Sequence, residues 1–447
     1  MSNINIILSS VFIGRVLTHL KNPLYRNGYA LTMSSALTSL VGFAYWILAA
    51  RYYSVEIVGT STASIAAMTL IAGLSSLYLD GTLARFVPIA GKTTPKLIIS
   101  VYIVLIVAAT LISSIFLLGI KIWSPALGFL TSTPFLSVGF VVSTVIWTVF
   151  NIQDGALIGM RQALWIPLEN AIYATAKLIL LVVFSYTLPQ YGVFLSWTVP
   201  IIMVVGIVNM SLFRHLVPQH IQVTQSVATP IIPSQVLKYA STNYIGIISS
   251  FVSTGLPPVM VLQLAGSRAS AYFYMPWVMA GLFRVLATDT STSLVVEGAI
   301  DPARLGQHFR HALLNTVRLV IPAMIIIVLI APFVLQIFGG DYASEGTMLL
   351  RLLALAAIPN SVVTLYLGWL RVQNRIGMVV IIQWLIAIAS LSLSYIWLQN
   401  YGITGVGMAW FVVQFTVATI LSVTEMRLIF SRHYTENVTT VNEHSDK

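Results

Sequence analysis

Apolar runs of about twenty residues, each bordered by Gly, Pro or a charged residue, recur along nearly the whole chain, and that is the length an α-helix needs to cross a bilayer. Read by length and border, the runs predict helices over 28–50, 56–79, 96–120, 134–157, 166–188 and 192–213. A polar stretch, 214–235, follows with Pro218, Pro230 and Pro233, and a second set is then predicted over 240–264, 269–291, 313–338, 346–370, 376–398 and 403–427. The pattern is that of an all-α polytopic membrane protein with about twelve transmembrane helices. The expected organisation is a cytoplasmic interfacial segment 1–27, a six-helix bundle 28–213, a cytoplasmic linker 214–239, a second six-helix bundle 240–427 and a cytoplasmic tail 428–447.

Composition supports this reading. Only 8% of the 447 residues are charged and 57% are hydrophobic, against about 25% charged in a soluble domain, so a soluble surface could not be built. The net charge of +10 does not point to nucleic acid, because the Lys and Arg stand singly between apolar runs rather than in clusters. Assigned to alternate sides of the predicted helices, nearly all those outside the spans fall on the N-terminal side; only Arg51, Lys121 and Arg268 fall opposite. Positive charge marks the cytoplasmic side, which predicts both termini inside a cell membrane. Ile4–Leu20 is apolar but lacks the border of a cleaved leader, and reads as a short interfacial helix. With no cysteine, disulfides, thiol catalysis and thiolate metal sites are excluded.

The two halves echo each other. Arg161 ends the fourth predicted helix and Tyr191-Gly192 opens the sixth; Arg371 ends the tenth and Tyr401-Gly402 opens the twelfth at the same interval, with Trp197 set against Trp410. This predicts two bundles related by a pseudo-two-fold axis along the membrane normal.

Several segments stand in a telling order: Ala49-Ala50-Arg51-Tyr52-Tyr53 with Val55-Glu56-Ile57-Val58-Gly59, Leu79-Asp80-Gly81-Thr82-Leu83-Ala84-Arg85-Phe86, Ala156-Leu157-Ile158-Gly159-Met160-Arg161, Pro332-Phe333-Val334 through Phe338-Gly339-Gly340-Asp341-Tyr342-Ala343, and Leu349-Leu350-Arg351-Leu352-Leu353. In order and spacing they resemble the multidrug/oligosaccharidyl-lipid/polysaccharide (MOP) exporter superfamily, and within it the polysaccharide-biosynthesis, O-antigen-type (Wzx-like) flippase branch. Asp80 departs from that branch, where a small or apolar residue is commoner. The resemblance covers about residues 28 to 425 and implies transport of a lipid-linked sugar, with no cofactor.

An ionisable group at membrane depth costs roughly 2.5–3.5 kcal/mol at a helix centre and usually faces protein or a wet cavity. Lys177 is nearest the middle of its predicted span and is the first candidate for a cavity cation, followed by Arg284 and Arg351. Asp80, Asp154 and Asp289 lie toward cytoplasmic helix ends, where an acid either couples transport to an ion or pairs locally, Asp289 with Arg284 and the others with Arg85 or Arg161. Pro257 and Pro258, beside Gly255, are expected to interrupt the seventh helix and form a hinge. No metal site or catalytic group emerges: the histidines are scattered, and no glycine loop for ATP phosphates is present.

The expected function is a flippase moving a polyprenyl-linked oligosaccharide or polysaccharide precursor to the outer leaflet. Its partners would be that lipid, the surrounding membrane lipids, and glycosyltransferases or a polymerase of the same pathway. The alternatives are a cation-coupled drug or metabolite antiporter of the same superfamily, which would need a deeply buried acid, and a membrane glycosyltransferase or polysaccharide polymerase, which would need acids in a large outer loop.

Overall fold

The computed structural model describes residues 40–224 and 232–426; the expected interfacial segment 1–27, the tail 428–447 and the middle of the linker lie outside the described residues. Every regular element among the described residues is helical. In chain order these are α1 (Leu40–Tyr52), α2 (Val55–Ser75), α3 (Leu79–Ala90), α4 (Thr94–Leu118), α5 (Pro134–Gly159), α6 (Trp165–Thr187), α7 (Gly192–Ser211) and α8 (Val217–Thr224). Then come α9 (233–265), α10 (267–300), α11 (Leu305–Gln336), α12 (Gly340–Leu355), α13 (Ala357–Val372), α14 (376–401) and α15 (403–421).

Nine described helical stretches are long and apolar enough to cross a membrane. Two of them, Pro233–Ile300 and Ile376–Leu421, are each a pair of helices joined at one glycine, Gly266 at φ 86° and Gly402 at φ 58°. Only glycine takes such a backbone without a steric penalty, so one residue suffices to reverse the chain. With both pairs divided, and α1 counted as the described part of the first span, the described residues hold the twelve predicted spans.

The borders differ from expectation where proline was read as a break. The α9 helix begins at Pro233 and α7 continues through a π-helical turn, Leu212–Leu216, into α8, so much of 214–239 is helical. Pro suits a first helical turn, where its missing N–H is not needed. Pro257 and Pro258 do not interrupt their helix: the backbone keeps helical angles through them, and the departure comes at Gly266. The tenth predicted helix does break, between α12 and α13 at Ala356, because Pro359 has no amide to send back to Leu355.

The repeat appears in the backbone. Gln162 N–H donates to Leu157 O at 2.8 Å and Arg161 N–H to Ile158 O at 2.9 Å; Arg375 N–H donates to Leu370 O at 2.9 Å and Asn374 N–H to Arg371 O at 3.0 Å. Both are the Schellman closure, with Arg161 (φ 59°) and Asn374 (φ 58°) in the left-handed position. Arg161 is thus matched by Asn374 rather than Arg371, in the same register as Trp197 and Trp410.

The described residues form two compact units: one holds α1, Tyr78–Ala108 and Val145–Ala240, the other Tyr53–Leu77, Ala109–Thr144 and the residues from Ser241 on. Along α4, Ile99, Ile103, Val107, Leu111 and Ile115 form an exposed stripe while Ile98, Val101, Leu105 and Ala109 are buried; a stripe of bare aliphatic side chains suits lipid. In the first unit α3 lies directly on α5. A Cβ on Gly155 would strike the Asp80 carbonyl, and one on Gly159 would meet Val87 and the Leu83 carbonyl, so Gly155 and Gly159 form a small-xxx-small seat. In the second unit Gly59 of α2 meets the Ser267 backbone, Ser270 Oγ donates to Gly59 O at 3.1 Å, and Arg268 pairs with Glu56 at 2.5 Å.

Gly155→Leu is expected to cost about 1–3 kcal/mol through overpacking, measured as a lower thermal midpoint of the purified protein. Gly206→Ala, with open space around it, should leave the midpoint unchanged or raise it; equal midpoints for Gly155→Leu and wild type would contradict the close helix contact.

Candidate functional site

Glu169, Tyr173, Lys177 and Leu181 recur every four residues along α6 and all are buried, which places a polar stripe on the protein-facing side of an otherwise apolar rod. Lys177 is 7% exposed. Its Nζ lies 3.9 Å from the centre of the Trp197 ring and 5.0 Å from those of Tyr45 and Tyr173, and no acid pairs with it among the described residues. Desolvated cation–π contacts are worth about 2 kcal/mol, so the rings offset part of what water would have supplied. The rings are themselves held. Tyr45 Oη donates to Val193 O at 3.0 Å, Tyr173 Oη donates to Trp197 O at 3.0 Å, and Trp46 packs 5.4 Å from Trp197.

In the second unit Arg284 of α10 lies 4.8 Å from the ring centre of Trp277 and 5.8 Å from that of Trp410, the two indoles meeting edge to face at 5.4 Å. Arg284 lines a crevice of about 10 Å³ with Phe283, Ala356, Asn360 and Trp410, at the break between α12 and α13. The indole N–H of Trp277 donates to Thr254 O at 3.2 Å, the carbonyl whose helical donor Pro258 removes. The proline pair thus supplies an acceptor that positions Trp277 under Arg284. Each half presents a cation to the tryptophan of its last span, Trp197 or Trp410.

Arg351 is placed otherwise. Its Nε donates to Val328 O at 3.0 Å, and Val328 stands four residues before Pro332, so its carbonyl too has lost its helical donor. Asp289 is exposed and makes no ion pair with Arg284 among the described residues. Neither Asp80 nor Asp154 pairs with Arg85 or Arg161; the Arg85 guanidinium lies 4.4 Å from the centre of the Tyr239 ring. Asp154 instead interacts electrostatically with Glu169, which sequence reading missed. Gln153 Nε2 donates to Glu169 Oε2 at 2.8 Å, and Asn209 Nδ2 donates to Gln153 Oε1 at 2.9 Å. Glu169 reads as an ordinary acid near a helix start; the four-residue spacing to Tyr173 and Lys177 was the signal that could have revealed it.

No protein-family profile matches the chain, and no curated protein matches it. Solved structures do. An inward-facing multidrug resistance MATE family transporter of the MOP superfamily aligns with a TM-score of 0.70 at 13% identity, over 89% of this chain and 96% of that one. The chain has the fold of MOP-superfamily transporters. The same fold is shared with the lipid II flippase MurJ in an inward closed conformation, with a TM-score of 0.64 at 15% identity over 88% of this chain and 86% of that one. It is shared too with a MOP superfamily transporter from Pyrococcus furiosus, whose binding pocket has reverse polarity that suggests different function, with a TM-score of 0.62 at 14% identity over 90% and 94%.

Within this MOP fold, the reading of Arg351 as a partner for an orphaned carbonyl has a direct test. Arg351→Met should lower stability by about 1–3 kcal/mol, the cost of an unsatisfied buried acceptor. Adding Pro332→Ala restores the helical donor and should recover most of that loss in a thermal-melt double-mutant cycle. Additive effects would sink the assignment.

Proposed function

We propose that this chain is a flippase that carries a lipid-linked oligosaccharide or polysaccharide precursor from the cytoplasmic to the outer leaflet of the cell membrane, its two six-helix bundles, 28–213 and 240–427, alternating access with both termini cytoplasmic. The observation that carries the reading is Lys177, a mid-span cation set among aromatic faces with no acid partner among the described residues. Such a charge is costly where it stands, and the phosphate of a polyprenyl-phosphate sugar is the counter-ion it lacks. Arg284, over Trp277 and Trp410, is the matching cation of the second half. The polyprenyl tail would stay among membrane lipids while the headgroup moves. An inside-negative potential favours outward movement of an anion by about 2.3 kcal/mol per charge per 100 mV. Glycosyltransferases or a polymerase of the same pathway would supply or consume such a cargo.

The cation-coupled drug antiporter is the second reading, favoured by the MATE likeness. It needs a deeply buried acid, which the first unit has in Glu169, 2% exposed, whereas both aromatic sites hold a cation.

The test is reconstitution in proteoliposomes with fluorescent polyprenyl-pyrophosphate sugars. Lys177→Gln should slow flipping tenfold or more, a barrier change of about 1.4 kcal/mol per tenfold, with an unchanged elution profile. Equal rates would remove Lys177 from the site; a wild type that moves organic cations but no lipid-linked sugar would establish the antiporter instead.

A further inference from the structure

The α11 helix has two opposed faces along its whole length. Leu305, Phe309, Thr316, Val320, Ala331 and Leu335 are buried on one, where Phe309 meets the Trp369 ring of α13 edge to face at 5.5 Å. Toward the Gln336 end the opposite face is aliphatic and aromatic, with Ile325, Ile326, Leu329 and Phe333 exposed, Leu329 by 66% and Phe333 by 70%. Bare side chains of this kind mark a surface that meets lipid tails. Toward the Leu305 end the same face turns polar and basic: Arg310, His311, Asn315 and Arg318 are all exposed. Among the described residues no acid pairs with Arg310 or Arg318, whereas Arg268 and Arg304 are each paired.

Length fixes the depth of that change. The 32 residues of α11 make a rod of about 48 Å, against about 30 Å of hydrocarbon. The stretch from Leu319 to Gln336 holds no charged residue and accounts for about 27 Å. Arg318 therefore stands at the edge of the hydrocarbon, and Asn315 and His311 lie one and two turns beyond it, at headgroup depth. The long Arg310 side chain reaches back toward the same level. Ile325 and Leu329, about 10–16 Å from Arg318 along the helix, are covered by tails of the leaflet whose headgroups lie level with Arg318.

We propose that Arg310, His311, Asn315 and Arg318 bind the headgroup of an anionic phospholipid such as phosphatidylglycerol, in the leaflet at the Leu305 end of α11. Under the orientation proposed above, this is the cytoplasmic leaflet. The continuity of the lipid-covered face selects a lipid as the occupant, and the charge selects its headgroup. A guanidinium takes a phosphate through two parallel hydrogen bonds, and Asn315 and His311 add N–H donors for the remaining oxygens. Two cations with no acid between them favour a headgroup of net negative charge over a zwitterionic one. The site shares no residue with the Lys177 or Arg284 sites and stands whichever cargo is moved.

The experiment is native mass spectrometry of the full-length protein in detergent micelles containing equal amounts of phosphatidylglycerol and phosphatidylcholine with the same acyl chains. The wild type should retain phosphatidylglycerol about tenfold in preference to phosphatidylcholine, and Arg310→Gln/Arg318→Gln should lose that preference. Arg304→Gln, which removes a cation already paired with Asp301, should keep it. The replaced side chains are exposed, so the double variant should fold, and the wild-type comparison needs no variant. Equal retention of the two lipids by the wild type, a preference that survives the double variant, or an equal loss in Arg304→Gln would each overturn the proposal. Displacement of phosphatidylglycerol by inorganic phosphate would mark a free-anion site and overturn it as well.

Discussion

Within a bilayer no water is on hand to satisfy a backbone carbonyl or a charge, so each must find a partner inside the protein. Much of the arrangement follows from that constraint. Pro332 and Pro258 each free a carbonyl; Arg351 takes up Val328 O and the Trp277 indole takes up Thr254 O. Lys177 is met by rings, and Glu169 by Gln153. Prolines inside these helices therefore act as sources of acceptors, and the side chains that answer them are fixed in place as a result. The break expected at Pro257 and Pro258 is absent, their helix running on to Gly266, and sharp chain reversal is left to Gly266 and Gly402, which have no Cβ to obstruct it.

The helical layout was legible in the sequence because the period that hides apolar side chains from water also exposes them to lipid. Run length and border residues placed the spans to within a turn at most ends. A misplacement came where a local rule was overridden by context: Pro233 was read as linker although it opens a helix. The repeat was visible too, but Arg371 was a false match. Identity of residue type pointed to Arg371, whereas the closing hydrogen bonds select Asn374, a residue better suited to a left-handed backbone.

The site was half legible. Lys177 and Arg284 stood out because a cation within an apolar run is expensive, and the structure sets each on aromatic faces. Arg351 followed the same rule for a different reason, since the cost of a charge is the same whether a ligand or a carbonyl offsets it. Glu169 was passed over because position along a helix was the criterion, and it lies near an end. Burial on a continuous face was the better criterion: Glu169, Tyr173, Lys177 and Leu181 form one stripe, which no end-to-middle ranking detects.

That stripe decides how the two halves differ. The second half presents a guanidinium between two indoles, a planar cation that stacks and retains donors at its edge. The first presents an ammonium, a compact point charge that, under the proposed function, would leave the ring faces to meet a phosphate oxygen directly. Moving Lys177 therefore costs its cation–π contacts, while Arg284 can bind without leaving its rings. Under the proposed function, the first half, where the buried Glu169 lies two turns from Lys177 on the same helix, would tie binding a headgroup to a rearrangement of that helix, and the second would be suited to hold the headgroup.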